Sequence, residues 1–121
     1  MFVDDDEPGG PIVLRLGPTL KVGETVREFE DRLELIAGER TESLILDLTD
    51  VEYMDSTTLG VLVGALHRLK SENRELVLVN PRDRIASLLR VAKLDSLFEI
   101  YETVGDAVAA IKRREEDTGV N

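Results

Sequence analysis

The densest run of side chains able to do chemistry is Tyr53-Met54-Asp55-Ser56-Thr57-Thr58, followed by Leu59-Gly60-Val61-Leu62-Val63-Gly64. Three consecutive hydroxyls stand where a helical period begins, close to the unpaired N–H groups and the positive dipole end of a helix start. A phosphate on Ser56 is tolerable at such a place, and it changes the surface by nearly two negative charges. The same spacing suits plain capping, because Asp and Ser are preferred N-cap residues. The two roles are compatible, and Ser56 is expected exposed at the start of this helix. Thr57 and Thr58 are alternative acceptors, each equally at home as a first-turn helix residue.

Gly60 and Gly64 lie one turn apart on one flank of that helix. Tight packing on a sheet is the expected reason for them, since each costs about 1 kcal/mol against Ala, and a docked partner is the alternative. His67 lies one turn further along and is expected to be solvated. Asp47 and Asp50 could be imagined as a metal pair, but one belongs to a strand and the other to a turn. The Lys112-Arg113-Arg114 cluster runs at once into Glu115-Glu116-Asp117 and reads as a solvated helix end.

Composition narrows the chemistry further. There is no cysteine and a single histidine, so disulfides, thiolate catalysis, Cys-ligated zinc and multi-His metal sites are excluded. The 15 basic and 25 acidic residues leave a net charge of -10, which disfavours sequence-independent nucleic-acid binding and adsorption to anionic membranes. No apolar run approaches the roughly 18 residues of a spanning helix. The start of the chain lacks the basic and apolar segments of a signal peptide, so the cytoplasm is the expected compartment. No phosphate loop or catalytic base pairing is present, and no enzyme activity, cofactor or metal is expected.

The elements that must carry the Asp55–Thr58 run follow a regular order. Ile12 to Leu16 reads as a strand closed by Gly17-Pro18. Val26, Phe29, Leu33 and Ile36 mark an amphipathic helix that Gly38 is placed to stop. Ser43 to Leu48 reads as a central strand, and a helix follows from Asp55–Thr58 to Ser71 with Leu59, Leu62, Val63, Leu66 and Leu69 inward. Leu76–Val79 is a third strand, Ile85, Leu88, Leu89 and Ala92 share a helix face, and Phe98–Tyr101 is a last strand before a closing helix through Val104, Ala107, Val108 and Ile111. Strands alternating with helices predict one α/β domain with a mixed sheet of four to five strands and helices packed on it. Residues 1–11 are expected as a flexible acidic leader, 12–114 as the domain and 115–121 as a polar tail.

The run Tyr53-Met54-Asp55-Ser56-Thr57-Thr58-Leu59-Gly60, with its preceding strand and the downstream elements, resembles the STAS domain family, specifically the bacterial anti-sigma factor antagonists. The resemblance covers about residues 12–111. It implies phosphorylation at Ser56 by a partner that is both anti-sigma factor and serine kinase. It also implies a partner surface of Tyr53, Met54, Asp55, Ser56, Thr57, Thr58, Gly60 and Gly64, and a serine phosphatase that resets the switch. In that picture the unphosphorylated chain binds the kinase and the phosphorylated chain releases it.

Three positions depart from the family pattern. The glycine after the hydroxyl pair is Thr58, expected to add bulk against a docked kinase. Gly17-Pro18-Thr19-Leu20-Lys21 replaces a segment that ends in an acid, and a glycine usual near the end of the third helix is Lys93. These departures keep open a non-switching member of the family, a stressosome-like scaffold or an accessory subunit of a lipid-transport ATPase.

Overall fold

The computed structural model describes residues 2–3, 10–21 and 23–119. In chain order the strands and helices are β1 Phe2–Val3, β2 Ile12–Arg15, β3 Thr19–Leu20, α1 Glu24–Glu39, β4 Leu44–Asp47, β5 Tyr53–Met54, α2 Ser56–Ser71, β6 Leu76–Val79, α3 Asp83–Val91, β7 Ile100–Tyr101 and α4 Val104–Gly119. The main sheet has the order β1-β2-β4-β6-β7, with β1 antiparallel and the other four strands parallel. The fold is therefore a single α/β domain around a mixed sheet. Phe2–Val3 pair with Leu14 and Arg15, so the first part of the expected leader adds an edge strand. Residues 4–9 of that leader lie outside the described residues. At the other end, α4 continues through the expected tail to Gly119.

Strand alternation divides the core in two. Ile12, Leu14, Leu44, Leu46, Leu76 and Leu78 face α1, α2 and α3 and meet Phe29, Leu33, Leu62, Leu66, Ile85 and Leu89. Val13, Ile45, Val77 and Val79 point the other way, against Ala107 and Ile111 of α4. Because the side-chain period of a strand is two, a one-residue slip would exchange these sets, so the register is strongly specified. β4 lies between β2 and β6 and is buried along its whole length, which is why it reads as an unbroken apolar run.

Polar groups hold the ends of the elements. Asp47 is buried at the end of β4, where its carboxylate accepts from Thr49 N at 3.0 Å and Thr49 Oγ1 at 2.6 Å and pairs with Arg15 Nε at 3.4 Å. The carboxylate thus closes a turn. The buried Arg74 donates to Glu42 O at 2.8 Å and Ala37 O at 3.3 Å, supplying cation and donors to the C-terminal end of α1, which has no basic residue of its own in its last turn. That helix passes Gly38 and ends one residue later, with Arg40 as its C-cap.

Arg114 is not the solvated helix end that the sequence suggests. It donates to Glu99 Oε2 and to Tyr101 Oη, each at 2.7 Å, and pairs with Glu75, joining α4 to β6 and β7. Its hydrogen bond holds the Glu99 carboxyl below the usual carboxylate range, whereas burial pushes Glu75 above it. Glu99 therefore adds stability above its ordinary pKa, and this is lost as pH falls through the lowered value. Glu75 contributes in the opposite sense, with stability present below its ordinary pKa and lost as pH rises through the raised one.

The third helix ends in a Schellman motif, with Leu94 N bonded to Leu89 O at 2.8 Å and Lys93 N to Arg90 O at 3.0 Å. Lys93 sits at φ 62°, in the left-handed region that favours glycine.

Two outcomes follow for stability. Lys93→Gly raises stability by about 0.5–1 kcal/mol, seen as a higher thermal midpoint, because an exposed side chain gives way to a residue that adopts this φ without strain. Glu99→Gln lowers stability near neutral pH, and the gap to the parent chain narrows as pH falls below the ordinary carboxylate range and the parent's own Glu99 is protonated. Thermal melts across that range check the second, and a constant gap would contradict it.

Candidate functional site

A two-stranded parallel sheet, β3 with β5, carries the chain into α2. Pro18 O accepts from Glu52 N at 2.7 Å and Tyr53 N at 3.1 Å, and Leu20 O accepts from Asp55 N at 3.1 Å. Asp55 is the N-cap of α2 in extended geometry, and its Oδ1 accepts from Thr58 N at 3.1 Å. Ser56 follows as the first helical residue. It is exposed, and among the described residues no side-chain hydrogen bond engages its hydroxyl. Capping and exposure are therefore divided between neighbours: Asp55 caps and Ser56 faces solvent.

Thr58 departs from the expectation of added surface bulk. It is 0% exposed, and its hydroxyl lies 3.0 Å from Leu20 O and 3.1 Å from Asp55 Oδ1, donating to the carbonyl and the carboxylate as a shared hydrogen bond. A side chain replaces the family's glycine without reaching the surface, and it ties the first turn of α2 to β3. Burial also removes Thr58 as a phosphate acceptor, while Thr57 is exposed. Met54 is buried at 4% exposure beneath the loop. The predicted partner surface thus separates into exposed Tyr53, Ser56, Thr57, Gly60 and Gly64, half-buried Asp55, and the two supports Met54 and Thr58.

Gly60 and Gly64 correct a second expectation. Neither packs on the sheet: both are exposed, and a Cβ built at either position meets nothing within 4 Å. They open a groove of about 650 Å³ between α1 and α2, edged by Thr57 and, on α1, by Glu30, Asp31 and Glu34. On the other side of the loop, Tyr53 borders a smaller apolar depression of about 300 Å³ with Met54, Ile85, Leu88 and Val91. Val91 is 81% exposed and Tyr53 46%, so apolar surface is available close to the loop. In the chain, Ser56 stands between residues that border the two depressions.

The short β3–β5 pairing, the Leu20 carbonyl and the acidic edge of α1 escape sequence reasoning. Two-residue strands have no periodicity to read, and a backbone carbonyl has no sequence signature. The acids on α1 alternate with its apolar stripe as on any surface helix. His67 is exposed. Among the described residues no group of three or more His, Cys, Asp or Glu is arranged to hold a metal, and no helix is long and apolar enough to cross a membrane.

The STAS domain model matches residues 3–107. The anti-sigma-B factor antagonist of Listeria monocytogenes is 38% identical over 82 residues, covering 68% of this chain and 72% of that protein. The anti-sigma-B factor antagonist of Staphylococcus aureus is 36% identical over 78 residues, covering 64% and 72%. In fold, the chain is similar to an anti-sigma-factor antagonist (STAS) domain protein from Planctomyces limnophilus, with TM-score 0.76, 18% identity and coverage of 91% and 97%. It is also similar to the Bacillus cell fate determinant SpoIIAA in the phosphorylated form, with TM-score 0.70, 18% identity and coverage of 91% and 99%.

The geometry yields a stability prediction for this loop. Ser56→Asp costs less than about 0.5 kcal/mol, because an acid in the first turn of a helix is favourable. Thr58→Val costs more, about 1–3 kcal/mol, since it removes a buried donor to Leu20 O. Chemical denaturation of both variants checks the order, and a Ser56→Asp loss exceeding that of Thr58→Val would contradict it.

Proposed function

The chain belongs to the STAS domain family, and from that membership we propose that it is an anti-sigma factor antagonist switched at Ser56. It binds an anti-sigma factor that is also a serine kinase through the surface around Tyr53, Asp55, Ser56, Thr57 and Gly60. One observation carries the reading: the Ser56 hydroxyl is exposed at the first position of α2 while Asp55 does the capping. The Listeria and Staphylococcus relatives support the partner class by their names.

The chain acts as ligand and substrate and does no chemistry of its own. The kinase supplies ATP and the base. Ser56 Oγ bonds to the γ-phosphorus as the bond to the bridging oxygen breaks, ADP leaves and the hydroxyl proton passes to the kinase. A serine phosphatase hydrolyses the ester and restores the hydroxyl. The cycle runs in the cytoplasm.

The physical logic lies in two unequal responses to one dianion. Inside the chain, the phosphate meets the positive end of α2 and costs little. Inside a packed interface, beside the Asp55 carboxylate, it meets desolvation and like charge. The fold survives the modification and the complex does not.

Incubating the chain with ATP and an anti-sigma kinase of the same genome, followed by intact-mass analysis, tests the reading. One added phosphate on the parent chain and none on Ser56→Ala is the expected result. A phosphate that persists in Ser56→Ala, or no modification and no complex with the kinase, would overturn it.

A further inference from the structure

The groove between α1 and α2 shares Thr57 and Gly60 with the surface proposed for the kinase and extends from there along both helices, with three properties of its own. Its floor is apolar, formed by side chains of both helices over the sheet. Its α1 edge is acidic: Glu30 and Asp31 are exposed and have no ion-pair partner among the described residues, and Glu34 follows one turn on. The groove's cation, Arg68, is already paired with Glu34 at 3.3 Å and Glu72 at 3.9 Å. The α2 wall is cut back by Gly60 and Gly64, where a Cβ would meet nothing within 4 Å.

Those glycines are the informative point. Each lowers helix stability by about 1 kcal/mol relative to Ala, and no internal packing requires either. Small residues one turn apart on an open helix flank let a second backbone approach closely, and a cleft between two helices takes a third one laid into it. Unpaired carboxylates along one edge select a cationic partner.

We propose that this groove docks an amphipathic helix of a partner protein, with small and apolar residues on its buried face and Lys or Arg along the edge that meets Glu30 and Asp31. The site adjoins the Ser56 loop at Thr57 and Gly60, but its acidic edge on α1 and Gly64 lie further along the two helices, and Ser56 itself does not line it.

Fluorescence anisotropy with labelled synthetic peptides of about 18 residues, some five helical turns, tests it. One peptide carries a Leu/Ala face flanked by Lys and Arg, and its control carries the same face flanked by Glu. The basic peptide is expected to bind the full chain, gain helicity and weaken as salt is raised, with the acidic control at least about tenfold weaker. Gly64→Leu fills the groove, and with open space at its Cβ and a better helix former in place the variant melts no lower than the parent; it is expected to lose at least about tenfold in affinity, as is the double variant Glu30→Lys/Asp31→Lys.

Ser56→Asp is expected to bind the peptide as the parent does, which separates this inference from the switch. Equal binding of both peptides, binding that ignores Gly64→Leu, or no binding of the basic peptide would overturn the proposal. Concentration-dependent self-association of the chain that Gly64→Leu abolishes would overturn it in favour of a second copy as the occupant.

Discussion

The start of α2 depends on one backbone carbonyl. Leu20 O accepts from Asp55 N and from the buried Thr58 hydroxyl, 38 residues away in sequence from the strand that presents it. Together with the Asp55 cap, this fixes the direction of the first turn, and that direction turns Ser56 outward. The carbonyl is itself held by the β3–β5 pairing, which joins Thr19–Leu20 to Tyr53–Met54. A two-residue strand pair has little stability alone. Here it is set over the core by buried Leu20 and Met54, so apolar burial beneath the loop supports the polar geometry above it.

The division of the sheet into two faces decides what remains accessible. Among the described residues the fourth helix covers one face, and Arg114 ties it down through Glu75, Glu99 and Tyr101. The other face carries α1, α2 and α3, with one depression between α1 and α2 and a second between β5 and α3, on either side of the Ser56 loop. A packed sheet beneath and open depressions above leave the Ser56 loop accessible from both sides.

Most of the architecture was legible because the apolar patterns are long. The runs Leu44–Leu48 and Leu76–Val79 and the three- and four-residue steps through Phe29, Leu33 and Ile36 predict their elements closely. What escaped is what has no pattern: β1 and the β3–β5 pair of two residues each, and the ion network at Arg114. Two expectations failed for physical reasons. The sequence suggests surface bulk at Thr58, yet its hydroxyl finds two acceptors inward and its methyl is buried with it. Gly60 and Gly64 were read as packed on the sheet, yet the inward stripe of α2 is Leu59, Leu62, Leu66 and Leu69, which leaves the glycines on the open flank. By contrast, the family's glycine near the end of α3 could be placed on Lys93, and the backbone there keeps the left-handed turn that a glycine would adopt.

The proposed switch is that one phosphate at Ser56 leaves the fold intact and breaks the complex. The most direct measurement is the affinity of the anti-sigma factor for the unmodified chain and for the chain prepared with phosphoserine at position 56, with thermal melts of both run alongside. The account predicts melting midpoints that agree closely and an affinity at least about 100-fold weaker for the phosphorylated chain, a difference of about 2.7 kcal/mol in binding. Equal affinities, or a loss of binding explained by unfolding of the phosphorylated chain, would contradict it.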